Sequence, residues 1–356
     1  MKLSYALIAA VVVVALLISV PLLNTTKEDF STYNTAWNGA SDAKALASSD
    51  GYATSSVFAL SEIGSSGGGV LFMLNPNSSA GFSASDASAL QSFVQNGGVL
   101  VLANDFGNGN AVLSGLGVSG EARFSGSLLK DNVSKGLDAA HPLITDVNAS
   151  GLTAGVHELY FNYGTVLDTS GNNVTVLARS GPTSYLVAPA GGKVIATTGA
   201  RPVLATLNYG NGRIVLLSDP SVFINDMLGQ ADNQQLLTSM VANLTGGNTA
   251  VPIMFDESHG ASPPALSLLY DRINENDTIK YTVVVLASVA LVIGINASGL
   301  VRRRQRKDMS PTPVDVPVSE EAIITDIVRA HPGWRRSRVK RFLKQLQQRR
   351  RIRRGN

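Results

Sequence analysis

The chain has 356 residues, no cysteine, and a net charge of +3 from 29 Lys/Arg and 26 Asp/Glu. Without cysteine it is neither a disulfide-stapled scaffold nor an enzyme with a thiol nucleophile. The small net charge hides an asymmetry. Residues 302–356 hold 17 Lys/Arg against 5 Asp/Glu, a net +12, whereas residues 1–301 hold 12 against 21, a net −9.

Two apolar runs, 5–23 and 281–301, are each long enough to cross a hydrocarbon core of roughly 30 Å as a helix. The second is followed by Arg302-Arg303-Arg304-Gln305-Arg306-Lys307, a positive-inside signal. The first run exceeds a usual signal-peptide core and lacks a small-x-small cleavage site, so it reads as an uncleaved anchor. The expected layout is an anchor at 1–23, an extracytoplasmic domain at 24–280 and a second span at 281–301. A basic, Pro-containing linker at 302–318 and a basic helical hairpin at 319–356 would then lie in the cytoplasm. Ala290, Gly294 and Ser298 recur at spacing four in the second run, a stripe suited to self-association.

Within 24–280 short apolar strands alternate with helices. A helix over 41–49 precedes a strand near 53–60. Val70–Leu74 is a buried strand that ends in the turn Asn75-Pro76-Asn77. Ser83 with Asp86 three residues on predicts a capped helix through Leu90, Phe93 and Val94. Gly97-Gly98 closes that helix, and Val99–Ala103 is the next strand. Residues 120–190 are richer in strands and read as an insertion or β extension. Strands follow near 194–198, 203–207, 214–217 and 253–255, with Gly210-Asn211-Gly212 a turn between two of them. Gln234–Leu244 carries apolar residues at helical spacing. Continuous apolar strands between helices predict an α/β fold with a mostly parallel sheet covered on both faces.

In such sheets ligands bind beyond the carboxyl ends of the strands. Polar residues gather at those places: Asn75, Asn104-Asp105, Ser218-Asp219-Pro220 and Asp256-Glu257-Ser258-His259-Gly260. Taken singly, Asn75-Pro76 and Ser218-Asp219-Pro220 read more readily as turns than as site residues. The last cluster is denser, with two carboxylates and an imidazole in four residues. Asp256, Glu257 and His259 of that cluster, with Asp219 from the neighbouring strand end, are the candidate catalytic groups. No metal-ligand spacing occurs, so neither a metal nor a cofactor is expected. Gly64-Ser65-Ser66-Gly67-Gly68 precedes a strand and is no nucleophile elbow, and no phosphate-binding glycine motif is complete. Asn-x-Ser/Thr sequons begin at Asn24, Asn77, Asn132, Asn148, Asn173, Asn243 and Asn276 in the expected exported part.

Gly210–Pro220, then Asn225, Asp232-Asn233 and Phe255–Gly260, with Gly97–Leu102 and His141-Pro142-Leu143 upstream, form a pattern that resembles the DUF4350 family. Ser258 stands where that family's Glu-x-His-His-Gly pattern has its first histidine. The resemblance implies an amidotransferase/flavodoxin-like fold, a membrane-anchored protein and an association with MoxR-type ATPase systems of bacteria or archaea. It supplies no reaction. Asp105, Asn225 and Asn233 are the candidate binding residues. The expected function is a membrane-anchored extracytoplasmic binding or scaffold module. The alternatives are a hydrolase using the Asp/Glu/His crevice and a membrane-tethered regulator with a nucleic-acid-binding tail.

In the tail, Ser319 caps a helix bearing Ile323, Ile324, Ile327 and Val328, and His331-Pro332-Gly333 ends it. A second helix carries Val339, Phe342, Leu343 and Leu346, expected to pack on the first. Its Arg and Lys residues point to anionic lipid as the partner, ahead of nucleic acid.

Overall fold

The computed structural model describes residues 26–64, 68–76, 81–189, 192–260, 281–282, 285, 288–289 and 319–354. The chain divides into two compact units, Met1–Val289 and Ala290–Asn356.

In the first unit the strands are β1 (Thr54–Val57), β2 (Val70–Leu74), β3 (Val99–Ala103), β4 (Ala122–Phe124), β5 (Leu128–Lys130), β6 (Leu143–Ile144), β7 (Asp146–Val147) and β8 (Leu159–Tyr160). They continue as β9 (Leu167–Thr169), β10 (Val174–Arg179), β11 (Tyr185–Val187), β12 (Val194–Ala196), β13 (Pro202–Tyr209), β14 (Gly212–Leu217) and β15 (Ile253–Asp256). The helices are α1 (Ser41–Ser49), α2 (Ala84–Gln95), α3 (Gly109–Gly115), α4 (Asn225–Leu228) and α5 (Asn233–Leu244).

Eight strands form one sheet in the order β1-β15-β2-β3-β14-β13-β10-β7. The expectation of a mostly parallel sheet is corrected here. The pairings from β1 to β14 are parallel, but β14·β13, β13·β10 and β10·β7 are antiparallel, so the sheet is mixed. The reason lies at Gly210-Asn211. Tyr209 pairs with Gly212, which leaves two residues to connect β13 to β14. A parallel connection needs a crossover of about a dozen residues, so this one is a hairpin. Gly210 accepts the required φ of +58°.

The placement of this domain between two transmembrane helices is likewise unsupported. Among the described residues no helix is long and apolar enough to cross a membrane. The run 5–23 and most of 281–301, with the Ala290/Gly294/Ser298 stripe, lie outside the described residues.

The central strands β2 and β3 are apolar throughout, and β14 from Ile214 onward, because both their faces are covered. Along β2, Val70 and Phe72 join α1 and α5 in one core, whereas Leu71 and Met73 join α2 and α3 in the other. The same alternation runs through Leu100–Ala103 and Ile214–Leu217. Each buried Leu, Ile or Phe stabilises the fold by roughly 1.5–3 kcal/mol. Phe72 anchors the first core, stacked on Phe255 at 5.2 Å and edge-on to Phe223 at 5.8 Å. Helix α2 opens on a complete capping box: Ser83 accepts from the Asp86 amide and Asp86 accepts from the Ser83 amide. Of the strands from 120–190, β7 and β10 extend the main sheet, while β4-β9, β6-β8 and β5-β11, the last joined by β12, form small sheets.

The second unit holds α6 (Glu320–Ala330) and α7 (Arg336–Arg354). Ser319 caps α6 by accepting from the Ala322 amide. Ile324 and Val339 are buried, and Ile327, Val328 and Leu343 are half-buried. Ile323, Phe342 and Leu346, expected inside the hairpin, are exposed. A pair of helices encloses only the residues along their line of contact, so the rest of each apolar stripe faces outward.

Candidate functional site

Strands β15, β2 and β3 are parallel neighbours, so their carboxyl ends open on one edge of the sheet. The residues that follow them form a cleft of about 520 Å³, within the usual range of ligand pockets. Its floor comes from Asn75, Asp105–Gly107, Asp256, Glu257 and Gly260, and its outer wall from Lys27–Ser31. Glu28, Asp29, Asp105 and Asp256 give the lining a strongly negative balance against Lys27.

The loop after β3 shapes the floor. A Cβ on Gly107 would lie 2.5 Å from Asn75 Oδ1, 2.7 Å from Pro76 O and 2.8 Å from Asn104 Oδ1. Glycine lets the loop close over these three oxygens. Asn75 itself sits at φ +45°, and its Oδ1 is buried without a hydrogen-bond partner. Burial raises the Asp105 carboxyl above the usual range, outweighing the opposing hydrogen bonds from Phe106, its own amide and Asn75. Asp105 is therefore a carboxylate short of compensation beside an acceptor that lacks a donor.

The outer wall is fastened by residues far away in sequence. Glu257 is buried; its Oε2 accepts from Ser31 Oγ at 2.8 Å, and its Oε1 accepts from the Thr32 amide at 2.7 Å and Thr32 Oγ1 at 2.6 Å. Behind them, Lys44 Nζ donates to Ser56 Oγ at 2.7 Å, which lies 3.1 Å from Thr32 Oγ1. Burial pushes the Glu257 carboxyl up, and the bonds from Thr32 and Ser31 with the Lys44 charge only partly offset it. Asn225, at the start of α4, ties down the next stretch. Its Nδ2 donates to Asn34 O and Ala36 O, and its Oδ1 accepts from the Asp42 amide. The Asn225 amide also donates to Gly39 O. Glu257 thus holds the segment that walls the cleft, and Asn225 holds the stretch that follows it.

His259 sits behind the floor. Its Nδ1 lies 2.9 Å from Asp256 Oδ2 and its Nε2 lies 3.6 Å from Asp86 Oδ2 in the capping box of α2. Burial alone would lower its pKa, but the Asp256 bond and the charges of Asp256 and Asp86 outweigh burial and raise it. The His259 ring thus links the end of β15 to α2. Ser258 Oγ donates to Asp256 Oδ1 and lies 3.0 Å from the same His259 Nδ1. A serine-hydrolase relay places Ser and Asp on opposite ring nitrogens. Here they crowd one nitrogen, and Ser258 is not set up as a nucleophile.

Asp219 is fully buried. Its Oδ2 accepts from the Asn162 amide at 2.5 Å and its Oδ1 from the Ser221 amide at 2.8 Å, capping the 3₁₀ turn Pro220–Phe223. Burial, aided by the Asp105 charge, raises it to about 8 against the pull of those bonds. Asn233, also buried, accepts from the Tyr160 amide and donates to Tyr160 O and Met227 O. Of the seven candidates, Asp105, Asp256 and Glu257 line the cleft, His259 supports Asp256, and Asp219, Asn225 and Asn233 lie outside its lining. Glu28 and Asp29 escaped the sequence reading because their segment has no periodicity. Their placement depends on Glu257, more than two hundred residues away. Among the described residues no group of three or more His, Cys, Asp or Glu is arranged to hold a metal ion.

The family described as "Domain of unknown function (DUF4350)" matches residues 32–241. No curated protein matches the chain. Among solved structures, the mmIFT52 N-terminal domain is similar at 15% identity and TM-score 0.38, over 49% of this chain and 76% of that one. A putative ThuA-like protein from Bacteroides uniformis is similar at 16% identity and TM-score 0.35, over 54% and 76%. A β-galactosidase from Bacillus circulans sp. alkalophilus is similar at 16% identity and TM-score 0.28, over 47% and 22%.

Proposed function

We propose that this chain, which belongs to the DUF4350 family, is a binding module whose cleft at the carboxyl edge of the sheet receives a cationic, donor-rich group. The observation that carries the reading is the chemistry of the lining. Carboxylates dominate it, Asp105 is half-buried without compensating charge, and Asn75 adds an acceptor with no donor. A primary amine or guanidinium would supply charge and donors together. The fastened wall supports binding over turnover. Glu257, Asp256 and His259 are committed to partners within the fold, so the candidate catalytic groups act as its framework.

Ligand-observed NMR with the full chain tests the reading. The panel contains small primary amines, guanidinium compounds, carboxylates and neutral sugars. Amines or guanidinium compounds should bind, the carboxylates should not, and Asp105→Asn should weaken binding by about tenfold, the scale of one charge-assisted bond. Preferential binding of carboxylates, or cation binding indifferent to Asp105→Asn, would remove the support for this cleft.

A further inference from the structure

The exposed residues of the second unit form a surface of their own. Val339 and Ile324 complete the contact between α6 and α7. Trp334 in the connecting turn is 56% exposed, Phe342 61% and Leu346 44%. Arg338, Phe342 and Leu346 follow at spacing four, so they are neighbours along one side of α7. Together with Trp334 and Arg341 they border one open groove. Trp334 is held by stacking on His331 at 4.8 Å, which fixes its ring in the turn.

The sequence of α7 carries charge of one sign. Arg335, Arg336, Arg338, Lys340, Arg341 and Lys344 are followed by five more arginines up to Arg354, and residues 335–354 contain no Asp or Glu. Among the described residues Arg336 lies 3.5 Å from Glu321 of α6. A polyanionic surface is the complement of such a helix. Phosphate in a nucleic-acid groove would satisfy the arginines but leave Phe342 and Leu346 in water. The boundary between headgroups and acyl chains satisfies both, because apolar side chains enter it while arginines stay at the phosphates.

We propose that the α6–α7 hairpin docks on a bilayer surface rich in anionic phospholipid, with Trp334, Phe342 and Leu346 entering the interface and Arg338 and Arg341 at the headgroups. The proposal is independent of the cleft and of how the rest of the chain is held.

The test uses the full chain with Trp37→Phe, which leaves Trp334 as its single tryptophan. Its fluorescence then reports this site even where other segments touch lipid. With vesicles of phosphatidylcholine mixed with phosphatidylglycerol, Trp334 emission should shift to the blue and be quenched by acyl-chain bromine. Phosphatidylcholine alone should give neither, and raised salt should diminish both. Phe342→Ser with Leu346→Ser should weaken the apparent affinity by about tenfold or more, and circular dichroism should show the helices retained. Unchanged emission with the anionic vesicles overturns the proposal, as does an equal response to neutral ones. A response confined to duplex DNA would assign the surface to nucleic acid instead.

Discussion

Asp219→Asn should flatten the dependence of stability on pH. In the native state Asp219 is fully buried and its pKa stands at about 8, against an ordinary value of 3.8. A carboxyl raised in this way contributes stability that is fully present below its unfolded pKa and is lost as pH rises through the folded one. Linkage over that window gives a loss on the order of 4 kcal/mol between about pH 5 and pH 9, roughly a third of it between about pH 7 and pH 9. Asparagine cannot ionise, so this component disappears. The substitution has its own cost, because an amide NH₂ replaces one oxygen that accepts from Asn162 or Ser221. One backbone donor loses its partner, at roughly 1–3 kcal/mol. Urea unfolding of the two proteins across that pH range separates the effects: Asp219→Asn should start lower at acid pH and converge on wild type, or cross it, at alkaline pH. Parallel curves would refute the reasoning, since they would mean that Asp219 is ionised in the fold throughout.

Glu257→Ala should destabilise the chain by roughly 2–4 kcal/mol, because the Thr32 amide and two hydroxyls lose their acceptor, and exchange at the Thr32 amide should accelerate. Glu257→Gln should cost less and remove the stability that wild type loses as pH rises from the ordinary 4.5 through the raised pKa of Glu257. Asn225→Ala should cost roughly 2–3 kcal/mol in urea unfolding and raise hydrogen exchange selectively across residues 34–42, which its side chain secures. Gly107→Ala forces three oxygens aside and should lower stability by roughly 1–3 kcal/mol while distorting the cleft floor, read as lost ligand binding.

The central strands were legible because burial on both faces leaves an unbroken apolar run: Val70–Leu74, Val99–Ala103 and Ile214–Leu217 stand where they were expected. Their direction was less legible. A run buried on both faces looks alike whether its neighbour is parallel or antiparallel, and the turn at Gly210-Asn211 was the local sign that β13 and β14 form a hairpin. Asp105, Asp256 and Glu257 could be found because polar residues directly follow buried strands. Asn225 and Asn233 carry the same polar chemistry, but their partners lie far along the chain, at Asn34 and Ala36 for one and Tyr160 for the other. Periodicity holds no trace of such pairings. The tail repeats the lesson at Phe342 and Leu346: helical spacing shows which residues share a side of α7 and does not show whether anything covers that side.

A cationic group should seat in the carboxyl-edge cleft. Amide chemical-shift mapping on the full chain, titrated with a small guanidinium compound, tests it most directly. Shifts should concentrate at Glu28–Ser31 and Asp105–Gly107, strengthening as pH rises through the raised pKa of Asp105 and that carboxyl becomes charged. Shifts at the opposite edge, around Gly97 and Gly210–Gly212, or saturation that ignores the ionisation of Asp105, would contradict it.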